Sequence, residues 1–384
     1  MDIQKIMRSQ RIRLVFLSAC VTLCLFFVLE RNFLPGISQK LTHKGFDLLA
    51  NVTRLVKNDY IDERDPARTM DGAYKGLIDS LDPVSSYLGT DATAKYLRRD
   101  SRWADIGVVL FKGSFGLFPQ VAGIVEDSPA EKAGLKPGDT FSAMDGRGTL
   151  NWSSLEANLY LKDLEQKPVF LKVLRENQTL EVNVERAVLF PEPFSFSSTG
   201  AFTVLSLHNL YAPCVSEVRK KILPLLKSRK KPLVLDLRNC YEGEIEEARD
   251  FLNIFIQSPR IGDFEKKGEI KDPVACLAEP DLAGLPAVLW TNRGTMGASE
   301  LVAAVLQGTK KVKVIGSETP GLVCRQELFP LQDGSSVLVT SGVFTLASGK
   351  KLWEEGVVPD EKIGFEDQGP AAYLKRTAVL FPNR

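Results

Sequence analysis

The second half of this sequence repeats one pattern, in which a short apolar run leads into a loop and then into an amphipathic segment. "KPLVLDLRN" (231–239) precedes "EIEEARDFLNIFI", and "AVLWTN" (287–292) precedes "GASELVAAVLQG". "VKVIG" (312–316) follows the second amphipathic segment. Apolar strands that alternate with helices are typical of α/β layers, so residues 188–384 are predicted to form one. The loops at the strand ends then lie on one side of the sheet, where we expect the functional site.

The composition is that of an ordinary globular protein with more than one domain. The 384 residues are 44% hydrophobic and 25% charged, which is enough to build two or three domains with large cores. Lysine and arginine (49) almost cancel aspartate and glutamate (48). Because no strongly basic field is present, nucleic acid is not expected as a partner.

The amino terminus differs from the rest in carrying an uncharged apolar run, residues 14–29, that follows several basic residues. A helix of this length spans about 24 Å, slightly less than a hydrocarbon core of about 30 Å. The basic flank places the first residues in the cytoplasm and exports the remainder. Since no small-x-small cleavage site follows, we interpret residues 1–36 as a cytoplasmic tail and retained membrane anchor. A cleaved signal peptide and lipidation at Cys20, within "LSAC", are the alternatives.

Cysteine and histidine usage disfavours metal chemistry and a cysteine–histidine nucleophile. The four cysteines outside the apolar run lack CxxC spacing, and the chain has only two histidines. We therefore predict no metal site and no cofactor. A disulfide among the four cysteines stays open, because spacing does not assign one. The four cysteines are Cys214, Cys240, Cys276 and Cys324, and the two histidines are His43 and His208.

Two further regions lie between the apolar run and the α/β layer. Residues 41–96 show helical periodicity and are predicted to form a small helical bundle. Residues 97–187 instead alternate apolar and polar positions in five short runs, interrupted by two helical segments. Within them, "AGLKPGDTFSAMDGR" combines a helix stop, a tight turn and a strand that ends in Asp-Gly.

This second region resembles a PDZ domain of the bacterial exported type. PDZ domains add an extended peptide to a sheet edge, and N–H groups of a glycine-containing loop hold its terminal carboxylate. The resemblance assigns that peptide-binding loop to Ala104, Asp105, Ile106 and Gly107. The family commonly has glycine or an apolar residue where Asp105 stands, and its negative charge would oppose carboxylate capture.

The order of the motifs resembles that of the carboxyl-terminal processing peptidases, also called tail-specific serine proteases. The motifs that carry the resemblance, over residues 41–365, are "LVLDLRN", "NRGTMGASE", "VIGSETPG", "QELFPLQDGSSVLVTSGVF" and "GVVPDEKI". The resemblance implies an α/β and α+β multidomain chain: membrane helix, helical bundle, PDZ domain and a ClpP/crotonase-like core. It also implies a serine nucleophile activated by a lysine, with a nearby glutamine that orients the lysine.

The sequence departs from this catalytic pattern at two of three positions. The family's elbow, Ser-Ala-Ser-Ala-Ser-Glu, aligns with residues 295–300 and puts Gly297 on the nucleophile. Counting on in the family's spacing puts Leu322 on the lysine and Gln326 on the glutamine. Glycine has no side chain with which to attack, and leucine does not accept a proton. The family's oxyanion loop, Asn-Asn-Pro-Gly-Gly, is here 239–243, so the side chain of Glu242 stands beside Gly243 where negative charge would develop.

We therefore expect a membrane-anchored pseudopeptidase of the bacterial inner membrane, with its soluble part on the periplasmic or extracellular side. Its expected partners are protein or peptide C-terminal tails, together with an active protease or further copies of itself. The alternative is an active serine peptidase that cleaves exported proteins with a rearranged dyad. Ser299 would then be the nucleophile, although it lies about 200° around the helix from Gly297.

Overall fold

The computed structural model describes residues 38–62, 66–98, 103–113, 116–190, 192–199, 201–229, 231–268, 270–283, 287–364 and 369–381. The chain divides into two units, residues 1–71 and 72–384, and each is described by itself. None of the described helices is both long and apolar enough to cross a bilayer. The predicted anchor, residues 14–29, lies outside the described residues.

Helices and strands alternate along the described chain. The helices are α1 (Ser38–Asp59), α2 (Pro66–Asp79), α3 (Thr90–Arg98), α4 (Pro129–Lys132), α5 (Ser154–Leu161), α6 (Cys214–Glu217), a π-helical turn (Val218–Ile222), α7 (Leu223–Arg229), α8 (Ile245–Leu252), α9 (Ala298–Gly308) and α10 (Pro370–Leu380). The strands are β1 (Ser86–Leu88), β2 (Val108–Phe111), β3 (Gln120–Ile124), β4 (Thr140–Met144), β5 (Arg147–Gly148), β6 (Val169–Arg175), β7 (Gln178–Val184), β8 (Phe194–Thr199), β9 (Phe202–Leu207), β10 (Leu233–Asp236), β11 (Ser258–Lys266), β12 (Ile270–Cys276), β13 (Ala287–Thr291), β14 (Val312–Gly316), β15 (Cys324–Pro330), β16 (Ser336–Leu346) and β17 (Glu361–Lys362).

The first unit contains α1 and the beginning of α2. The predicted helical periodicity is present in α1, but its apolar stripe stays accessible within this unit. Phe46 is 65% exposed and Leu55 is 61% exposed. Thr53 connects the two helices of this unit through a 3.6 Å contact with the sulfur of Met70.

The PDZ-like region, residues 97–187, contains a sheet with the strand order β2-β3-β4-β6-β7, and β5 pairs with β4. Each alternating run of the sequence is one of these strands, because alternate side chains enter a common core. That core includes Ile106, Leu110 and Phe141, none of which is measurably exposed. Ser128 and Ser153 begin α4 and α5 by accepting N–H hydrogen bonds on their hydroxyl oxygens.

The core region, residues 188–384, contains the predicted α/β layer. Its sheet has the order β17-β14-β13-β10-β9-β8, and the first five strands of this order are parallel. All residues of β10 and β13 are buried, as expected for strands covered on both faces. The mixed α/β class predicted from the sequence is therefore confirmed. The carboxyl ends of β10 and β13 bring residues 237–244 and 292–297 to one edge of the sheet.

A second sheet, which is antiparallel, contains strands from distant parts of the chain. Its order is β1-β16-β11-β12, and β15 also pairs with β16. Ser86 in β1 pairs with Leu338 in β16. This strand lies within the region predicted to be entirely helical, and it forms because β16 offers it an edge. Asp82 starts the strand segment by accepting the N–H groups of Val84 and Ser85 at 2.9 and 2.6 Å.

Candidate functional site

The turn between β13 and α9 has the backbone of a nucleophile elbow. Gly297 is the N-cap of α9, with φ 60° and ψ −114°. Such a conformation is strained for residues with a side chain, and elbows use it to project the nucleophile from a strand-to-helix turn. A Cβ atom on Gly297 would lie 3.8 Å from the Leu322 carbonyl oxygen, which is ordinary contact distance. The elbow therefore has space for a side chain, although glycine supplies none.

Glu300 holds this elbow against the following loop. Its carboxylate is fully buried and accepts the N–H group of Gly297 at 2.9 Å. It also accepts the N–H groups of Gly321 and Leu322, both at 2.7 Å. Burial raises the pKa of Glu300, while these hydrogen bonds oppose the increase. The carboxylate thus fixes the backbone of the lysine position relative to that of the nucleophile position.

The lysine position itself is filled by hydrocarbon. Leu322 is buried in an apolar cluster with Met296 of the elbow and with Val109 and Ala122 of the PDZ-like region. An ammonium group at this position would lose its hydration among apolar side chains. Gln326, the third family position, donates to the Val84 carbonyl oxygen at 2.9 Å. The glutamine therefore contacts the segment before β1 and not a lysine.

Ser299, the fallback nucleophile, is only 1% exposed. Its hydroxyl contacts the carbonyl oxygens of Cys240 and Met296. A serine held against two backbone acceptors stabilises the contact between the elbow and the preceding loop. This placement gives the hydroxyl no proton acceptor of the kind that a serine nucleophile requires.

The cysteine thiols near the cleft are also in a form that does not react. Cys214, Cys240, Cys276 and Cys324 are all free thiols in the structure. Desolvation raises the pKa of Cys324 to about 12, and it raises the pKa of Cys240 further above the usual range. Because the thiolate is the nucleophile, both groups are inert near neutral pH.

The oxyanion loop carries a charge pair in place of an open anion site. Glu242 accepts a hydrogen bond from Lys162 of the PDZ-like region, and the Lys162 Nζ lies 5.7 Å from the centre of the Tyr241 ring. Burial alone would lower the pKa of Lys162, but the carboxylates of Glu242 and Asp105 outweigh it and the pKa is raised. Lys162 is therefore an ammonium ion and not a general base. Gly243 is required next to Glu242 because a Cβ there would lie 2.6 Å from the Leu210 Cβ.

The main-chain N–H groups of the predicted carboxylate-binding loop are all engaged within the protein. Ala104 and Asp105 donate to backbone carbonyls at 3.0 and 2.9 Å. Ile106 and Gly107 both donate to the Asp105 carboxylate, at 2.6 and 3.2 Å. Desolvation raises the pKa of Asp105, and the nearby Lys162 opposes the increase.

One cavity of about 660 Å³ lies between the elbow and the β2–α5 side of the PDZ-like region. Its lining includes Leu110, Asn158 and Lys162 from the PDZ-like region and Gly297 and Leu322 from the core. Both regions thus contribute to the same cleft. No cluster of three or more potential metal ligands occurs in the part of the chain that the structure describes.

A buried arginine fixes the orientation of the PDZ-like region on the core. Arg238, at the end of β10, pairs with Glu126 at 2.8 Å and with Asp236 at 2.7 Å. The next residue, Asn239, donates to the Ile124 carbonyl oxygen at 2.9 Å. Sequence reasoning did not identify Arg238, Asn158 or Lys162. The "DLRN" motif was the available signal for Arg238, whereas the sequence near the other two gives none.

Two family models match the chain in agreement with this geometry. The model described as Peptidase family S41 matches residues 203–363, which include the elbow and the oxyanion loop. The model described as PDZ domain matches residues 104–185, which include the predicted carboxylate-binding loop.

Curated relatives resemble most of the chain. The carboxy-terminal processing protease CtpA of Bacillus subtilis (strain 168) is 27% identical over 368 residues, or 94% of this chain and 78% of that protein. A CtpA-like serine protease of Staphylococcus haemolyticus is 25% identical over 338 residues, or 85% of this chain and 68% of that protein.

Among solved structures, the photosystem II D1 C-terminal processing protease has a similar fold. It superposes with a TM-score of 0.67 at 22% identity, covering 82% of this chain and 86% of that one. The family models, the relatives and the elbow motif agree in matching this chain to the carboxyl-terminal processing peptidase family, with a peptidase family S41 region and a PDZ domain in one chain.

Proposed function

We propose that this chain is a non-cleaving member of its family that holds protein tails or other polypeptide segments in its cleft. In that role it acts as an adaptor or regulator of an active protease. The observation that carries the proposal is the pair of Gly297 and Leu322, in which the elbow backbone is kept while both reacting groups are absent. In a worked serine protease, loss of the nucleophile alone costs about 10⁶ in rate.

Two other groups in the cleft support this interpretation, because neither Cys324 nor Lys162 provides a reachable nucleophile with a base. Cys324 is a protonated thiol, and Lys162 is a protonated amine paired with Glu242. Glu242 is paired with Lys162, so a charge pair fills the loop that would have to be open to hold an oxyanion. Each of these features disfavours acyl transfer, while the cavity still has room for a polypeptide segment.

Anchoring belongs to the proposal as well. The apolar run of residues 14–29, with its basic flank, supports a single-pass anchor in the bacterial inner membrane with the remaining chain exported. Such a placement would bring the cleft to the tails of exported or membrane-bound proteins.

A cleavage and labelling assay tests the absence of catalysis. The full chain is incubated with β-casein as an unstructured polypeptide, and separately with a fluorophosphonate that labels activated serines. We expect no new peptide products above a no-enzyme blank and no adduct by mass spectrometry.

Matched variants identify the source of any activity. Ser299→Ala removes the fallback nucleophile, and Cys324→Ala removes the thiol that lines the cavity. Cleavage by the wild-type chain that either substitution abolishes would overturn the proposal, as would a phosphonate adduct on Ser299.

A further inference from the structure

The carboxylate-binding loop of the PDZ domain already holds a carboxylate that belongs to the protein. Two of its N–H groups donate to Asp105 Oδ1, and the other two donate to backbone carbonyls. A peptide terminus in this family of domains is held by such N–H groups. No N–H group of residues 104–107 therefore remains for an incoming terminus.

The edge of β2, the strand that follows this loop, is also occupied, here by side chains of α5. Asn158 of α5 accepts the Leu110 N–H on Oδ1 at 3.0 Å and donates Nδ2 to the Leu110 carbonyl at 2.8 Å. Ser154, one turn earlier on α5, accepts the N–H of Lys112 at 2.7 Å. A bound peptide would use these backbone groups of β2 to add a strand. The helix side chains provide those hydrogen bonds instead.

The Asp105 carboxylate also feels the charge of Lys162, which opposes the rise in its pKa. Lys162 is electrostatically coupled to Asp105 and also forms the ion pair with Glu242 of the core. The same ammonium thus interacts with a carboxylate of the PDZ loop and with a carboxylate of the oxyanion loop. The occupied state of the loop is therefore built into the contact between the two domains.

We infer that the PDZ groove of this chain is filled by its own side chains, with Asp105 standing in for the terminal carboxylate of a peptide. The polypeptide held in the cleft is then recognised without its terminal carboxylate, so internal extended segments are ligands as good as tails. This inference rests on the proposed function, since it names the class of polypeptide that the same cleft takes. Its contacts lie on the core side of the cavity, near Met296, Gly297 and Glu242.

The test compares free and amidated carboxyl termini. Two fluorescein-labelled ten-residue peptides of one sequence, with an apolar last residue, are prepared as the acid and as the amide. Their dissociation constants for the full chain are measured by fluorescence anisotropy. We expect the wild-type values for the acid and the amide to agree within about twofold. Asp105→Gly frees two N–H groups, and we expect this variant to bind the acid at least tenfold more tightly than the amide.

Asp127→Gly is the matched control, because Asp127 is an exposed aspartate of the same domain with φ 58°. We expect its acid-to-amide ratio to equal that of the wild type. A wild-type preference of tenfold or more for the acid would overturn the inference. An Asp105→Gly chain that folds but shows no preference would overturn it as well.

The wild-type ratio alone decides the matter if Asp105→Gly does not fold. Failure of the proposed function has a different readout, because it would appear as product in the β-casein assay. A chain that cleaves β-casein but ignores the carboxyl terminus would retain the inference and lose the proposed function.

Discussion

The elbow and the PDZ loop depart from their family in opposite directions. At Gly297, which the motif spacing assigns to the nucleophile position, glycine supplies no side chain although space for one remains. At Asp105 a carboxylate stands where glycine or an apolar residue is common, and it takes the N–H groups of the loop. The first site lacks a side chain at its centre, whereas the second is filled by one of its own side chains. The comparison teaches that the backbone of a site is maintained by residues other than those that give it chemistry.

The largest effect is expected from Glu300→Ala, which tests whether one carboxylate maintains the emptied elbow. Two buried N–H groups, of Gly321 and Leu322, and the partly buried N–H group of Gly297 would lose their acceptor. At about 1–3 kcal/mol for each unsatisfied group, we expect the free energy of unfolding to fall by about 3–5 kcal/mol. Guanidinium titration followed by circular dichroism measures this change. The exposed Glu327→Ala serves as the control and should change it by less than about 0.5 kcal/mol.

The next effect is expected from Lys162→Met, which tests what maintains the filled loop. The substitution leaves Asp105 and Glu242 without their shared ammonium. Because Lys162 and Glu242 are partly exposed, we expect a loss of about 2 kcal/mol, below that of a fully buried pair. The same titration measures it, with Lys167→Met at an exposed ion pair as the control. Equal stability of the two variants would show that Lys162 does not balance the loop.

A smaller effect is expected from Asn158→Ala, which opens the strand edge while leaving Asp105 in place. The Leu110 N–H and carbonyl lose their partner but become accessible to water in the cavity. We expect the free energy of unfolding to fall by about 1–2 kcal/mol. Amide exchange at Leu110 should accelerate, whereas the exposed Asn151→Ala should leave it unchanged. Unchanged exchange at Leu110 in the Asn158→Ala variant would show that Asn158 does not protect the edge of β2.

The smallest effect is expected from Gly297→Ala, which returns a side chain to the elbow without chemistry. The Cβ has room, so the cost is that of the backbone conformation alone, about 1 kcal/mol. Gly308→Ala, at the end of the same helix and with open space around it, should be neutral or slightly stabilising. Thermal unfolding of the two variants measures the difference. Equal melting temperatures would contradict the strain assigned to the elbow.

The sequence predicted the elements whose signals are local. Apolar runs located β10, β13 and β14, and alternation located the strands of the PDZ domain, because burial on one or both faces sets those periods. The same reasoning did not find β1. That strand has three residues, and its partner β16 lies some 250 positions away along the chain. No local pattern specifies such a pairing.

Site prediction shows the same limit. The motif spacing assigned roles to Gly297, Leu322 and the loop around Asp105, since each lies within a recognisable stretch, and these roles stay predictions. Lys162 could not be found, because its two carboxylate partners come from separate loops that only the folded chain brings together. Its position directly after α5 indicated nothing more than the end of a helix.

The packing of Leu322 against Val109 and Ala122 sets a condition on any attempt to make this molecule cut. A lysine introduced there would place an ammonium group in the apolar contact between the two domains. Either the two domains would separate and hydrate the ammonium, or the buried amine would lose its proton. Restoring the base and keeping the two domains in contact are thus competing demands on one small volume, and an engineered protease on this scaffold would need a polar environment for the amine in place of Val109 and Ala122.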